Sequence, residues 1–193
     1  MSAKIALFGA GGKMGVRLSL NLKQSKYEVR HVEPGEIGQK RLRDEVGVAC
    51  VERDEALQDV DVVILAVPDN LIGKIAAEIA PGLKPGAMVM TLDAAAPFAG
   101  HLPKRDDLVY FVCHPCHPSI FRPEAHARGR ADYFGGFTAP QSIVSALMQG
   151  PDNAFDLGED IGKTIYQPID QAYRVTVEQM ALLEPGLSET VCA

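Results

Sequence analysis

Short, mostly apolar runs alternate with longer stretches whose apolar residues recur every three or four positions through the first hundred residues. Runs of the first kind suit strands buried on both faces of a sheet, and stretches of the second kind suit helices that bury one stripe. The pattern predicts strands over residues 4–8, 27–33, 48–51, 61–67, 87–93 and 108–112. A helix over 13–24 is marked by Met14, Leu18 and Leu22, and residues 36–46 are helix-tolerant. Asp69 stands at a predicted N-cap, ahead of a helix carrying Leu71, Ile72, Ile75, Ala76 and Ile79 on one side. Strand and helix alternating in this way imply a doubly wound α/β domain with a mainly parallel sheet.

After residue 113 the pattern loosens into a loop rich in Pro and His over 114–140. It returns to order with a strand at 142–148 and a helix around 153–165. From about residue 172 the sequence reads as a long helix carrying Val175, Leu182, Leu183, Leu187 and Val191, broken at Pro185–Gly186 because proline cannot donate to the helical ladder. The chain stops at Cys192–Ala193 without a cap. The expected division is therefore a domain over 1–170, then, over 171–193, the beginning of a helical dimerisation or substrate domain cut in mid-helix. A short chain with a frayed end is the alternative.

Composition narrows the function. Of 193 residues, 47% are hydrophobic and 23% charged, and the net charge is −6. An acidic chain offers no phosphate-neutralising surface, which argues against a nucleic-acid partner. No apolar run reaches the roughly 18 residues of a membrane span. The N-terminus reads without a signal peptide, since Phe8 runs straight into glycines. The four cysteines, at 50, 113, 116 and 192, form no secreted disulfide framework. The expected compartment is the cytoplasm.

Chemistry begins at "GAGGKMG", residues 9–15, between the first strand and the first helix. In a dinucleotide fold one glycine makes the tight turn, another admits backbone close to the pyrophosphate, and a third lets helix and strand pack closely. Gly9, Gly12 and Gly15 fit a G-x-x-G-x-x-G variant, Gly11 adds slack, and Met14 occupies the place of the last glycine in G-x-G-x-x-G. Lys13 either helps neutralise the pyrophosphate or is an exposed first-turn residue; with no Ser or Thr after it, this is not a P-loop. Glu33 ends the second strand at the distance expected of a ribose-binding carboxylate, and Lys40 and Arg41 are the first cations after it. This favours NAD over NADP. Val67, Pro68 and Asp69 of "AVPDN" and Asp93 of "LDAAAP" end further strands at the same edge of the sheet. Asp93 equally suits a turn cap.

"FVCHPCHPSIF", residues 111–121, places His114 and His117 after a late strand, where a nicotinamide ring would point. Three chemistries compete. A histidine can take a hydroxyl proton in a dehydrogenase at neutral pH. Cys113, His114, Cys116 and His117 offer zinc ligands, but four within five residues do not readily surround one tetrahedral ion, and no metal site is expected. Cys113-His-Pro-Cys116 is a CxxC without the thioredoxin-like setting. Dehydrogenase chemistry ranks first, zinc second and thiol redox third; two purely structural histidines are the remaining possibility.

These segments, with "ALMQGP" and "EQMALLEPGLSE", resemble a bacterial family of NAD-binding oxidoreductases whose C-terminal domain is like that of phosphogluconate dehydrogenase and which includes D-apionate oxidoisomerases. A more distant likeness, "GAGGKMG…AVPD…HP", is to prephenate dehydrogenases, with His114 at the matching His-Pro. The resemblance implies a Rossmann-type fold, NAD as cofactor, and oxidation of a hydroxyl on a small sugar acid with or without a coupled isomerisation. It also implies a helical domain that completes a homodimer. His114 would then transfer the proton and His117 orient the substrate, with Glu184, beside the helix break, as an orienting partner or alternative base. A non-catalytic NAD sensor and a prephenate dehydrogenase-like enzyme are the rival readings.

Overall fold

The computed structural model describes residues 2–116 and 139–184, with the side chain of Glu184 outside that set. In chain order the elements are β1 (Lys4–Phe8), α1 (Lys13–Leu22), β2 (Glu28–Val32), α2 (Glu36–Arg41), a π-turn (Leu42–Val46) and α3 (Arg53–Leu57). They continue with β3 (Val62–Leu65), α4 (Asp69–Ile79), β4 (Met88–Thr91), α5 (Ala95–Phe98), β5 (Val109–Cys116), β6 (Gln141–Gln149), α6 (Ala154–Tyr166), β7 (Ile169–Arg174) and α7 (Val177–Glu184).

The strands form one sheet in the order β2-β1-β3-β4-β5-β6-β7. All pairs are parallel except β5 with β6. This is the Rossmann-type α/β fold that the alternation predicts. The central strands β3 (VVIL) and β4 (MVMT) read as almost unbroken apolar runs because both of their faces are covered. Ile5, Leu7, Ile64, Met90 and Phe111 pack on one side against α1 and α6. Ala6, Phe8, Val63, Leu65 and Val89 pack on the other against Ile72, Ala76 and Ile79 of α4.

The chain leaves β1 towards β2 and returns across the sheet to β3. The loops after β1 and β3 therefore diverge and open a crevice at the carboxyl edge, where such sheets bind ligands.

Five expectations need correcting. The strand expected at 48–51 shrinks to a single bridge between His31 and Cys50. Pro68, not Asp69, caps α4. The loop expected from residue 114 begins later, because β5 runs on to Cys116 against β6. Leu71 is 39% exposed and so leaves the buried stripe of α4. The helix expected from about 172 starts at Val177, since residues 169–174 join the sheet beside β6 as β7.

Candidate functional site

Gly9 makes the turn after β1 with φ of +72°. A side chain there is doubly excluded, since a Cβ would lie 2.3 Å from the Ala66 carbonyl oxygen at the end of β3. Gly12 caps α1 with no side-chain hydrogen bond, and no acid stands in the first turn. The N–H groups at this helix start and its dipole thus point into the crevice, the arrangement that binds anions. Gly15 lets α1 lie on the turn, because a Cβ on it would meet the Gly9 oxygen at 2.1 Å. Lys13 is exposed, and Met14 is half-buried against the core.

Gly11 does more than add slack. Its N–H donates to Glu33 Oε2 at 3.0 Å, and a Cβ on it would meet Gly38 Cα at 2.4 Å. Glu33 Oε1 accepts from the Gly35 N–H at 3.0 Å. The carboxylate thus spans the glycine turn and the start of α2. Arg41, read only as a distant cation, donates to the Gly11 carbonyl oxygen at 2.9 Å. The parts played by Gly38 and Arg41 left no signal in the sequence, since they depend on contacts across the turn.

On the other side of the crevice, half-buried Val67 and exposed Pro68 lead into α4. Asp93 Oδ1 accepts from the Ala95 N–H at 2.6 Å, so this acid does cap the turn into α5. Asp69 is exposed, yet its carboxyl is pushed upward, first by local desolvation and then by the Asp93 carboxylate, with His114 pulling the other way. Asp69, Asp93 and His114, from the ends of β3, β4 and β5, therefore share one electrostatic neighbourhood.

The His114 ring is half-buried, and its Nδ1 lies 2.7 Å from the Leu92 carbonyl oxygen. A carbonyl can only accept, so Nδ1 carries the proton and the neutral ring has its lone pair on Nε2. This is the tautomer a general base needs. His114 shares its sheet face with Val112, which packs against Met180 of α7. Glu184 is the last residue of that helix, four positions beyond Met180. His117 lies outside the described residues.

Cys113 is buried, and its thiol is pushed up to about 12 by that burial, only partly offset by the Ser145 hydroxyl. Such a thiol is a poor nucleophile and a poor metal ligand at neutral pH. Cys50 and Cys113 are free thiols. Among the described residues, no three His, Cys, Asp or Glu side chains gather as metal ligands. No helix among those residues is long and apolar enough to cross a membrane.

The residues fit a dinucleotide. Three backbone approaches too close for a Cβ surround an open helix start, and a fixed carboxylate stands at the end of β2.

Comparison with known proteins agrees in fold and extends the reading. Residues 4–96 match a family described as NADP oxidoreductase, coenzyme F420-dependent. Residues 122–193 match the C-terminal domain of decarboxylating phosphogluconate dehydrogenase. The chain is 69% identical over its whole length to a D-apionate oxidoisomerase of Cupriavidus necator, covering 70% of that protein. It is 64% identical to a D-apionate oxidoisomerase of Rhizobium rhizogenes, with 98% of this chain and 69% of that protein aligned. A solved structure from Cupriavidus necator, described as a semialdehyde dehydrogenase NAD-binding protein in complex with calcium and NAD, superposes with a TM-score of 0.96. The two are 69% identical, and the match covers 100% of this chain and 70% of the other.

Proposed function

The chain belongs to the D-apionate oxidoisomerase family, and we propose that it carries the NAD-binding half of an enzyme oxidising a hydroxyl of D-apionate or a closely similar sugar acid, with isomerisation coupled to the oxidation. What supports this is the meeting, at one edge of the sheet, of the turn Gly9–Gly15, the Glu33 carboxylate and a tautomerically fixed His114.

In this reading the N–H groups at Lys13 and Met14 and the dipole of α1 hold the pyrophosphate, while the Gly12 N–H closes the turn on the Gly9 carbonyl oxygen at 3.1 Å and Gly9 and Gly15 provide the close approach. Glu33 accepts the hydroxyls of the adenosine ribose and repels a 2′-phosphate. Val67, Pro68 and Asp69 form the opposite wall, with Asp93 beside them. When bound, NAD supplies the hydride acceptor. His114 Nε2 takes the proton of the substrate hydroxyl, while the Leu92 carbonyl holds the ring and the Asp69 and Asp93 carboxylates stand in the same neighbourhood. These two carboxylates repel a sugar-acid carboxylate, so the substrate's own carboxylate must be directed away from them. His117 is the orienting donor in this scheme and Glu184 an orienting partner or second base. The protein acts as a cytoplasmic homodimer.

The test is reduction of NAD, followed as NADH absorbance, across a panel of sugar acids that includes D-apionate. D-Apionate should be the preferred substrate. NAD binding without turnover of any panel member would point instead to the non-catalytic sensor.

A further inference from the structure

We infer that Gly38 and Arg41 are positioning residues for cofactor choice: from α2 they hold the Glu33 carboxylate against the glycine turn, where it can select NAD. The inference rests on Glu33 being the ribose-binding acid.

A glutamate at a strand end has three rotatable torsions, and an acid free to swing away discriminates poorly against a 2′-phosphate. Here the swing is blocked. The Gly11 N–H binds Oε2 and the Gly35 N–H binds Oε1, both at 3.0 Å. The space the carboxylate occupies exists only because residue 38 is glycine. A Cβ on Gly38 would stand 2.6 Å from Glu33 Cδ and 2.7 Å from Cγ. Gly38 backbone in turn presses on Gly11, where a Cβ would meet Cα, C and O of Gly38 at 2.4–2.6 Å. Gly11, Glu33 and Gly38 thus form a three-way contact with no side-chain volume to spare.

Two polar links keep the helix in that place. Gln39 Nε2 donates to the Glu33 carbonyl oxygen at 2.8 Å, and Arg41 donates to the Gly11 carbonyl oxygen at 2.9 Å. The other charge near Arg41, Glu45, is farther off at 3.9 Å, so the Gly11 oxygen sets the direction of the guanidinium. The Arg41 charge is thereby turned onto the backbone of the glycine turn. Each carboxylate oxygen of Glu33 keeps acceptor capacity after taking one backbone N–H, since a carboxylate offers about four lone-pair sites. The pocket is therefore ready for two ribose hydroxyls before the cofactor arrives. Fixing a group in its bound position beforehand strengthens binding by removing the ordering cost.

The experiment measures NAD and NADP affinity by calorimetry, with steady-state kinetics alongside, for Gly38→Ala, Arg41→Met, Arg41→Lys and Glu33→Ala. Gly38→Ala should weaken NAD about tenfold or more, the order seen when a charge-assisted hydrogen bond is lost. It should also narrow the NAD/NADP ratio, and KM for NAD should rise while kcat at saturating NAD holds. Arg41→Met should act in the same direction, with Arg41→Lys restoring most of the loss. Arg41→Met adds no volume at the turn, so it keeps the test valid if Gly38→Ala does not fold. Unchanged NAD affinity in both Gly38→Ala and Arg41→Met, with Glu33→Ala weakened, overturns the positioning role. Unchanged affinity in Glu33→Ala overturns the ribose assignment and this inference with it.

Discussion

Acid should weaken the fold through one buried histidine, and the size of the effect can be worked out beforehand. His31 of β2 is 5% exposed, pairs with Leu7 of β1 and bridges to Cys50 on its other side. Its Nε2 has no hydrogen-bond partner among the described residues. Burial lowers its pKa from 6.5 to about 4. The unfolded chain therefore takes up this proton near pH 6.5, whereas the folded chain resists it until about pH 4. Between those values the unfolded state binds more protons, so stability rises with pH. The contribution is complete above pH 6.5 and is lost as pH falls towards 4. At about 1.4 kcal/mol per pKa unit, the total is about 3 kcal/mol, of which about 2 kcal/mol is gone by pH 5. Urea unfolding followed by circular dichroism, on the wild type and His31→Leu from pH 7.5 to 4.5, isolates the effect because the other titrating groups are common to both. The stability difference should shift by about 2 kcal/mol in favour of the variant between pH 7.5 and 5. Parallel pH profiles would refute the reasoning.

Gly15→Ala places a methyl group against the Gly9 carbonyl, which should cost about 1–3 kcal/mol as overpacking and weaken NAD binding; urea unfolding and calorimetry check both, and unchanged values would mean α1 shifts without consequence. Iodoacetamide at pH 8 should leave Cys113 unmodified in the folded protein and label it in urea, as read by peptide mass mapping; equal labelling in both would contradict its burial. Leu182 and Leu183 are 65% and 48% exposed on α7, so light scattering should give a dimer mass, and Leu183→Glu should shift it towards monomer; a wild-type monomer would count against the homodimer.

The sequence made the sheet legible because strands buried on both faces leave short branched apolar runs such as "DVVILAV", too short for a typical helix and rich in β-branched residues. It misled where a strand lacks that protection. β7 reads "IDQAYR" and is largely exposed, so neither its composition nor its periodicity separates it from the helix that follows. The sequence pattern ends β5 at residue 112, ahead of the Pro- and His-rich stretch from 114. Past Val112 the strand has β6 beside it but no partner from β4, and a proline is tolerated where one side of the ladder needs no donor. At the site, Glu33 stands out in the sequence because an acid directly after the second strand of such a fold has a positional meaning. Gly38 and Arg41 do not, since their importance arises from contacts made only when α2 lies on the glycine turn. The tautomer of His114 depends on a carbonyl 22 residues away in the chain and was likewise out of reach.

The most direct measurement is kcat for His114→Asn with NAD and D-apionate. The asparagine amide can still donate to the Leu92 oxygen, so the local fold is kept while the basic Nε2 is removed. A positioned base contributes about 10²–10⁴-fold, so kcat should fall by that order with NAD affinity nearly unchanged. A variant that keeps most of its kcat would contradict the account and make Glu184 the base to test.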